Sequence, residues 1–495
     1  MFSAITLIFT FSILWIIYYI REWWAVWRHM PPGPYGLPLL GYLPFINIKK
    51  QVKTFTELKE RYGPIFSVTM THGVYNIHLC DPDIIADAFS RPEFLPRPDS
   101  FMFKVPFGGG GLLGNNGQIW QDNRRFTLRT LRDSGFGKTS LNDTATEDVL
   151  EVVRIFKEKL GKPIDVGWDL NIAIIRTLWR IVSGIEWGHD DPRIHKLFGM
   201  VNDALEGAGE VSLGNFHSGL IRFVPGAKEG YRKIMSLINE SDALFQGEID
   251  IHKHEVGFGD YIDRYLEEIK KNGSDHPSFN ERELRLNIRS LFGAGSETTS
   301  TTIRWALHFL IENPDIQAKA QEEIDRVLGD KQPHLDDKPN LPYLEAVIRE
   351  VNRMCNVLPL GVFHAVREDV WFRGYLFPAG SWVFGNQELV HKDPKFFPDP
   401  EKFDPQRFLD EEGQLRKSVP GYMPFGAGKR QCLGESLAKL QLFLYLATLL
   451  QTFKFSKPKK IFHSYIDVSP TFGLINHPPP FSLIIHERTK NESDC

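Results

Sequence analysis

A glycine-rich segment near the carboxyl end, FGAGKRQCLGE at residues 425–435, contains one cysteine and runs directly into an apolar helical pattern. The positive end of a helix dipole and its exposed N–H groups favour the thiolate form of a cysteine placed there, and thiolate binds metals. Glycines allow the backbone to approach a large flat ligand closely. Phe425 could pack beside the sulfur of Cys432, Arg430 could reach an anionic group, and Gly426 is a further candidate for contact with the ligand. The alternative is a glycine-rich turn with a buried, inert cysteine.

Size and composition fit a globular enzyme. The chain has 495 residues, so it forms either two domains or one large domain. Hydrophobic residues make up 42% and include 37 Phe, enough for a large apolar interior. A net charge of -4 gives no basic footprint for nucleic acid, so no nucleic-acid partner is expected. Four scattered cysteines without a C-x-x-C pair favour reducing conditions and argue against zinc.

The amino-terminal residues predict a membrane anchor followed by a linker. Residues 2–20 contain no charge and are long enough for a helix that crosses a bilayer. Aromatic residues crowd the far end and basic residues follow it, which predicts an anchor over 1–21 with the rest of the protein cytosolic. An interior core helix is the alternative. Prolines at 31–38 predict a stiff spacer within a linker over 22–45, although they could also be an SH3-type ligand. The globular domain then spans 46–490.

Several patterns along this domain predict local structure. Residues 66–80 alternate and are β-branched, which predicts a hairpin with its turn at His72 and Gly73. Residues 101–117 join aromatic residues to four glycines and predict a mobile, substrate-facing loop, because no P-loop lysine follows. Residues 140–285 carry amphipathic helical patterns, and 205–228 predicts two helix ends around an apolar loop.

Two helical patterns carry polar residues suited to a cofactor site. Trp120 and Arg124 lie one helical turn apart and project to the same side. The basic residues Arg125, Arg129, Arg132 and Lys138 form a face that could meet an acidic electron donor, with a solvated surface as the alternative. Further on, residues 286–310 predict a long helix containing AGSETT. Its glycines and its threonine hydroxyls favour a local distortion that makes room beside a flat cofactor, and close helix packing is the alternative.

A third helix contains a carboxylate and a guanidinium that can pair. Glu350 and Arg353 lie at i and i+3 among apolar neighbours, so the pair is expected to be partly buried.

The spacing of Phe425, Gly428, Arg430, Cys432 and Gly434 resembles the haem-binding loop of the cytochrome P450 monooxygenases, and the other motifs occur in that family's order. The resemblance covers essentially the whole chain and implies a mainly α fold with a smaller β region (α+β), the cytochrome P450 fold, with an N-terminal transmembrane anchor helix. It looks most like the microsomal animal branch that includes the family-two enzymes.

What the resemblance implies about residues is specific. Cys432 would ligate the iron of haem b (iron protoporphyrin IX). The haem propionates would be held by Trp120, Arg124, His364 and Arg430. Thr298 and Glu297 would support protonation during dioxygen activation, and the loop at 205–228 would be a substrate lid. Structural support below the haem would come from Glu350, Arg353 and Arg407, the last in the segment PQRF at 405–408.

The resemblance also implies the partners and the location. NADPH–cytochrome P450 reductase would deliver electrons, O2 and a lipophilic small molecule would be the substrates, and membrane lipid would surround the anchor in the endoplasmic reticulum. The substrate could be an endogenous steroid or sesquiterpenoid hormone precursor or a foreign lipophile. A membrane-anchored haem sensor or carrier would need the cysteine loop but not Glu297 and Thr298, and a scaffold with a degenerate site would have lost Cys432.

Overall fold

The computed structural model describes residues 10, 11, 14, 21, 24, 26–37, 41–46, 51–71, 74–104, 108–133, 141–210, 227–255, 259–458 and 475–488. In this part of the chain most residues are helical and the strands are few and short, which confirms the predicted mainly α fold with a smaller β region.

Fifteen α-helices follow one another along the described ranges from Gln51 onwards. They are α1 (Gln51–Tyr62), α2 (Pro82–Ser90), α3 (Phe101–Lys104), α4 (Gly111–Gly114), α5 (Gly117–Asp133), α6 (Asn142–Lys157), α7 (Gly167–Ser183), α8 (Pro192–Glu210), α9 (Ala227–His254), α10 (Tyr261–Asn272), α11 (Glu281–Glu312), α12 (Pro314–Leu328), α13 (Pro342–Cys355), α14 (Gln387–His391) and α15 (Glu435–Thr452).

Nine strands form three small sheets in the described ranges. They are β1 (Ile65–Thr71), β2 (Val74–Leu79), β3 (Pro163–Ile164), β4 (His364–Ala365), β5 (Val370–Phe372), β6 (Tyr375–Phe377), β7 (Trp382–Gly385), β8 (Phe453–Ser456) and β9 (Leu483–Glu487). The largest sheet has the order β1-β2-β7-β4, with β2 parallel to β7 and the other pairs antiparallel. The other sheets have the orders β3-β9-β8 and β5-β6.

The centre of the helical core is formed by α11 and α15. The sequence of α15, ESLAKLQLFLYLATLLQT, is apolar on all sides, and a helix of this kind has to be buried on all sides. Every residue from Leu440 to Leu450 is buried. The α11 helix is buried along most of its length, but Ala294 is exposed and Thr298 is partly exposed at its middle. The middle of α11 therefore presents an accessible face that includes Ala294 and Thr298 and is called the opening in α11.

The structure confirms the predicted hairpin and the predicted long helix, and it differs from the prediction in where that helix begins. The predicted hairpin is the β1-β2 pair, with its turn at 72–73 outside the described residues. The predicted long helix at 286–310 is α11, which begins five residues earlier because the Asn280 side chain accepts a hydrogen bond from the Glu283 N–H and caps it. The helix continues without interruption through the AGSETT segment, so the predicted distortion does not break it. The apolar loop within 205–228 lies largely outside the described residues.

The segment at 101–117 is more ordered than predicted. It contains the short helices α3 and α4, and α4 packs against α11. Gly111 has a φ of +63°, and a Cβ atom there would lie 2.5 Å from the Leu286 carbonyl oxygen. The glycines therefore allow close packing on α11, whereas the sequence pattern suggested a mobile loop.

The predicted anchor at 1–21 falls mostly outside the described residues. Among the residues that are described, no helix is both long enough and apolar enough to cross a membrane. The proline segment docks on the sheet, because Ser67 in β1 donates its N–H to the Pro32 carbonyl at 2.9 Å and its hydroxyl to the Pro31 carbonyl at 2.7 Å.

Candidate active site

The cysteine loop places Cys432 at the start of α15. The Cys432 N–H donates to the Phe425 carbonyl at 3.0 Å, which closes the loop. Gly428 has a φ of +76°, and a Cβ atom there would lie 2.1 Å from the Phe89 carbonyl oxygen. This position therefore requires glycine, because a side chain would collide with the main chain in the last turn of α2.

The electrostatic environment of the Cys432 thiol contains opposing contributions. The thiol is accessible on one side, yet the surrounding protein desolvates the sulfur, and this burial raises its pKa. The Glu435 carboxylate also raises the pKa, while the N–H groups of Gly434 and Glu435 and the guanidinium of Arg124 lower it. The helix terminus acts in the predicted direction, but burial outweighs it. A coordinated metal ion deprotonates a thiol outright, so thiolate at Cys432 depends more on a metal than on the helix.

Three guanidinium groups lie near this loop and are called the arginine cluster: Arg97, Arg124 and Arg430. The Arg430 guanidinium lies over the Trp120 ring, 3.8 Å from its centroid. It donates to the carbonyl oxygens of Leu95 at 3.1 Å and Asn115 at 2.7 Å. Arg124 donates to the Gln431 carbonyl at 2.6 Å. The predicted residues Trp120, Arg124 and Arg430 are thus brought together around the cysteine loop.

Arg97 completes the arginine cluster and is almost fully buried, at 5% exposure. Its terminal nitrogen donates to the carbonyls of Val362 at 2.5 Å and Phe363 at 2.8 Å. Arg97 belongs to no motif recognised in the sequence. The one local signal is its position between Pro96 and Pro98, which is weak because prolines flank many surface residues.

The arginine cluster has no counter-charge among the described residues. All its hydrogen-bond partners are carbonyl or amide oxygens, and no described carboxylate lies within 4.0 Å of a cluster nitrogen. Three buried donor atoms there have no hydrogen-bond partner: Arg97 Nε, one terminal nitrogen of Arg430, and Trp120 Nε1. The pKa of Arg430 is lowered to about 7 by burial and by repulsion from Arg97 and Arg124. The pKa of Arg97 is lowered to about 9 by burial and by repulsion from Arg124.

A guanidinium keeps its proton in proteins, so this arrangement favours binding of an anion rather than loss of a proton. The two propionate groups of haem b are carboxylates and can supply that charge together with acceptors for the three partnerless donors. The thiol of Cys432, the natural soft ligand for iron, lies beside the same cluster. The residues present therefore fit haem b.

His364 lies beside the arginine cluster on β4. Its ring stacks on Phe89 with 3.9 Å between centroids, and Nδ1 lies 2.5 Å from the Phe94 carbonyl oxygen. Since a carbonyl only accepts, Nδ1 carries the proton. Burial and the charges of Arg97 and Arg430 hold the pKa of His364 well below its usual value, although its hydrogen bond to Phe94 acts in the opposite direction. The neutral ring then offers Nε2 as an acceptor, so the predicted donation to a propionate requires a second proton on this ring.

A buried ion-pair network is formed by Glu350, Arg353 and Arg407. Arg353 contacts both oxygens of Glu350, at 2.7 and 2.8 Å, in a bidentate pair that is at most 1% exposed. Arg407 Nε lies 3.3 Å from the same carboxylate. Arg353 also donates to the His391 carbonyl at 2.9 Å. The two arginines predicted to give structural support therefore both contact the predicted Glu350.

Thr298 and Glu297 are neighbours in α11 but make different contacts. The Thr298 hydroxyl donates to the Ala294 carbonyl at 2.7 Å, one turn back, as the sequence predicted. Glu297 is buried, and its Oε1 accepts from the Thr301 hydroxyl at 3.2 Å and lies 3.5 Å from His477 Nδ1. The hydroxyl of Thr298 thus lies at the opening in α11, whereas the described contacts of Glu297 are with Thr301 and His477.

A cysteine at a helix terminus, beside an arginine cluster that has no carboxylate partner in the described part of the chain, fits the site of a haem-thiolate protein. Comparison with known proteins gives the same class. The family model of the cytochromes P450 matches residues 31–485. The chain is 35% identical to cytochrome P450 2C29 of Mus musculus, over 93% of this chain and 96% of that protein. It is 33% identical to cytochrome P450 2G1 of Oryctolagus cuniculus, over 93% and 94%, and 34% identical to cytochrome P450 2L1 of Panulirus argus, over 93% and 95%.

The chain belongs to the cytochrome P450 family. Proteins of this family bind haem b through a cysteine thiolate and act as monooxygenases that use O2, a substrate and a redox partner.

Proposed function

We propose that this protein is a membrane-anchored monooxygenase that inserts one oxygen atom from O2 into a lipophilic small molecule, by hydroxylation or epoxidation. The single observation that carries the proposal is the arrangement at the start of α15. There a loop closed by the hydrogen bond from the Cys432 N–H to the Phe425 carbonyl presents the thiol beside an arginine cluster that has no carboxylate partner among the described residues.

Each residue of the site has a proposed role in holding the cofactor. Cys432 is the iron ligand, with Phe425 and Gly426 in the loop around it. Arg124 and Arg430 bind the haem propionates together with Trp120, whose buried Nε1 has no hydrogen-bond partner in the described part of the chain. Arg97 joins them, and His364 contributes at the same edge. The haem supplies the oxygen-activation chemistry when bound, and the protein supplies orientation and electrostatics.

Proton handling is proposed for the opening in α11. Thr298 is partly exposed there, and its hydroxyl can both donate to the Ala294 carbonyl and accept from a water molecule. Glu297 is one position earlier and holds its carboxylate in a polar group with Thr301 and His477. We assign both side chains to proton delivery, with Thr298 at the opening in α11 and Glu297 in the buried polar group.

The remaining assignments concern partners and location. Arg125, Arg129 and Arg132 are exposed on α5 and fit an acidic partner, for which we propose NADPH–cytochrome P450 reductase; Lys138 lies outside the described residues. We further propose the anchor at 1–21, the linker at 22–45 and the catalytic domain at 46–490. This places the catalytic domain on the cytosolic side of the endoplasmic reticulum membrane.

The proposed substrate is lipophilic because aromatic side chains pack next to the arginine cluster. Arg97 donates to the carbonyl of Phe363, whose ring lies 5.4 Å from that of Phe103 and 5.2 Å from that of Trp382. We propose an endogenous steroid or sesquiterpenoid precursor. The alternative is a xenobiotic-metabolising enzyme, and a substrate screen that includes foreign lipophiles distinguishes the two. One strongly preferred endogenous compound would support the steroid or sesquiterpenoid precursor. Many weakly turned-over foreign compounds would support the xenobiotic-metabolising enzyme.

The test is the carbon monoxide difference spectrum of the reduced protein in membranes, with Cys432→Ala as the comparison. We expect a Soret band strongly shifted to the red from that of histidine-ligated haem, and its absence in Cys432→Ala. Folded wild-type protein that takes up no haem would contradict the proposal. Haem bound without the shifted band would support a membrane-anchored haem sensor or carrier instead.

A further inference from the structure

Asn116 lies between the short helix α4 and the helix α5 that carries Trp120 and Arg124. Its side chain makes three hydrogen bonds, and all of them go to members of the arginine cluster. The Oδ1 atom accepts from the Arg97 main-chain N–H at 2.6 Å and from a terminal nitrogen of Arg430 at 3.1 Å. The Nδ2 atom donates to the Arg97 carbonyl at 3.2 Å.

The two hydrogen bonds with Arg97 form a reciprocal pair, because the Asn116 amide both accepts from and donates to the main chain of this one residue. Such a pair fixes the backbone of Arg97, and with it the direction in which the buried side chain leaves the chain. The remaining hydrogen bond restrains Arg430, which is 314 residues away in sequence. One carboxamide therefore holds two guanidinium groups from distant segments in a common position.

These two guanidinium groups carry like charges, and their described hydrogen-bond partners are all uncharged oxygens: main-chain carbonyls and the Asn116 amide. Without a restraint, two long cationic side chains would relax away from each other. A neutral carboxamide suits this position because it restrains both cations without cancelling the charge that attracts an anion.

We propose that Asn116 is a positioning residue for the cofactor, which holds Arg97 and Arg430 aimed at the propionate edge of the haem. This inference rests on the proposed role of the arginine cluster. It predicts that Asn116 controls how tightly haem is held and at what potential its iron is reduced.

The neighbouring residue Asn115 provides a contrast. Its side-chain amide donates to the buried Glu283 carboxylate at 2.5 Å, while only its main-chain carbonyl meets Arg430. Replacing the Asn115 side chain therefore weakens the packing of α4 on α11 but leaves the contact with Arg430 in place. Gln118, an exposed amide bonded to Asp122 at 2.7 Å, provides a surface control in the same segment.

The experiment compares Asn116→Ala, Asn116→Asp, Asn115→Ala and Gln118→Ala in the full-length holoprotein. Two quantities are measured: the rate of haem transfer to apomyoglobin and the midpoint potential of the iron. Asn116→Ala should lose haem about tenfold faster, equivalent to about 1.4 kcal/mol. Asn116→Asp keeps the acceptor atom but adds a negative charge that competes with the propionates, so the potential should shift to more negative values. Gln118→Ala should match the wild type.

A merely structural role for Asn116 would lower the unfolding temperature without changing the potential, as we expect for Asn115→Ala. Equal haem loss and equal potential in Asn116→Ala and Asn115→Ala would overturn the proposal. If Asn116→Ala does not fold, an unchanged potential in Asn116→Asp would overturn it as well. A wild-type protein without the thiolate-type carbon monoxide band would contradict the proposed function itself, so the two failures are distinguishable.

Discussion

The buried ion-pair network and the arginine cluster both bury guanidinium groups, but they differ in what faces those groups. In the network, Glu350 supplies a carboxylate to Arg353 and Arg407 at 2.7 to 3.3 Å. In the cluster, the described partners are uncharged oxygens, and positive charges face one another. A buried charge is costly unless it is paired, so the network is complete within the protein, whereas the cluster would take its counter-charge from the haem propionates under the proposed function. A structural arginine thus has its counter-ion within the protein, whereas an arginine of the cluster has no carboxylate partner among the described residues.

The largest expected effect is on the network. Glu350→Gln leaves Arg353 and Arg407 buried without a counter-charge, and breaking a buried pair in this way costs about 3 to 5 kcal/mol. We expect a large loss of unfolding free energy, measured by guanidinium chloride denaturation of the apoprotein and the holoprotein alike. The control is Arg154→Gln, because Arg154 forms its ion pairs at the surface and should leave the denaturation midpoint unchanged. If Glu350→Gln destabilised only the holoprotein, the ion-pair network would depend on haem in the same way as the arginine cluster, and the distinction between network and cluster would be wrong.

The cluster should respond in the opposite way. Arg430→Gln removes one of the repelling cations, so the apoprotein should keep or gain stability. The holoprotein should lose haem roughly 10 to 100 times faster, because a hydrogen bond to a charged group contributes about 1.5 to 3 kcal/mol. Haem transfer and denaturation of the apoprotein measure the two effects separately. An apoprotein destabilised as strongly as Glu350→Gln would show that the cluster is structural.

A buried histidine provides a further comparison. It tests whether a ligand-binding residue is distinguished by its charge or only by the lack of a hydrogen-bond partner. His78 is buried between the rings of Phe66 and Phe384, and neither of its ring nitrogens has a hydrogen-bond partner in the described ranges. Burial lowers the pKa of His78 to about 3, against about 6.5 in the unfolded chain. His78 is therefore neutral in the folded protein near pH 7 and does not require a counter-ion.

The pH dependence follows from that difference. The unfolded chain binds a proton at His78 below pH 6.5 while the folded protein does not, so stability is complete above pH 6.5 and falls as pH drops toward 3. At pH 5 the loss is about 2 kcal/mol. His78→Phe should remove this share of the acid sensitivity without changing haem retention, as measured by denaturation at pH 7 and pH 5. An unchanged acid sensitivity in His78→Phe would contradict the assignment.

The smallest expected effect concerns the opening in α11, which contains no arginine. Thr298→Val removes the hydroxyl at the opening and should leave haem retention unchanged. Product formed per NADPH consumed should fall about fivefold, near 1 kcal/mol. Thr302→Val is the matched control, because the Thr302 hydroxyl bonds the Thr298 carbonyl at 2.8 Å one turn further along the helix. An equal loss of product in both variants would show that the effect is general to the helix.

The parts that could be predicted from the sequence depend on short spacings. Trp120 with Arg124, Glu350 with Arg353, and Cys432 with α15 lie within one helical turn or one loop, so helical periodicity and glycine spacing indicated them. The apolar pattern after the cysteine loop likewise indicated the helix α15.

The parts that were missed depend on contacts between distant segments. Arg97 reaches carbonyls 265 residues away, and Asn116 joins two segments that no local pattern relates. The segment at 101–117 was predicted as a mobile loop because it is rich in glycine. In the structure its Gly111 is needed for close packing on Leu286 of α11, a tertiary contact that composition does not reveal.

The most direct test of the account compares haem b with its dimethyl ester, which keeps the iron and the ring but removes both carboxylate charges. Apoprotein is reconstituted with each, and the dissociation rates are measured for the wild type and for Arg430→Gln. If the arginine cluster is completed by the propionates, the wild type should release the ester roughly 100 times faster than haem b, about 2.7 kcal/mol, and Arg430→Gln should discriminate much less. Equal release of the two compounds by the wild type would contradict the account.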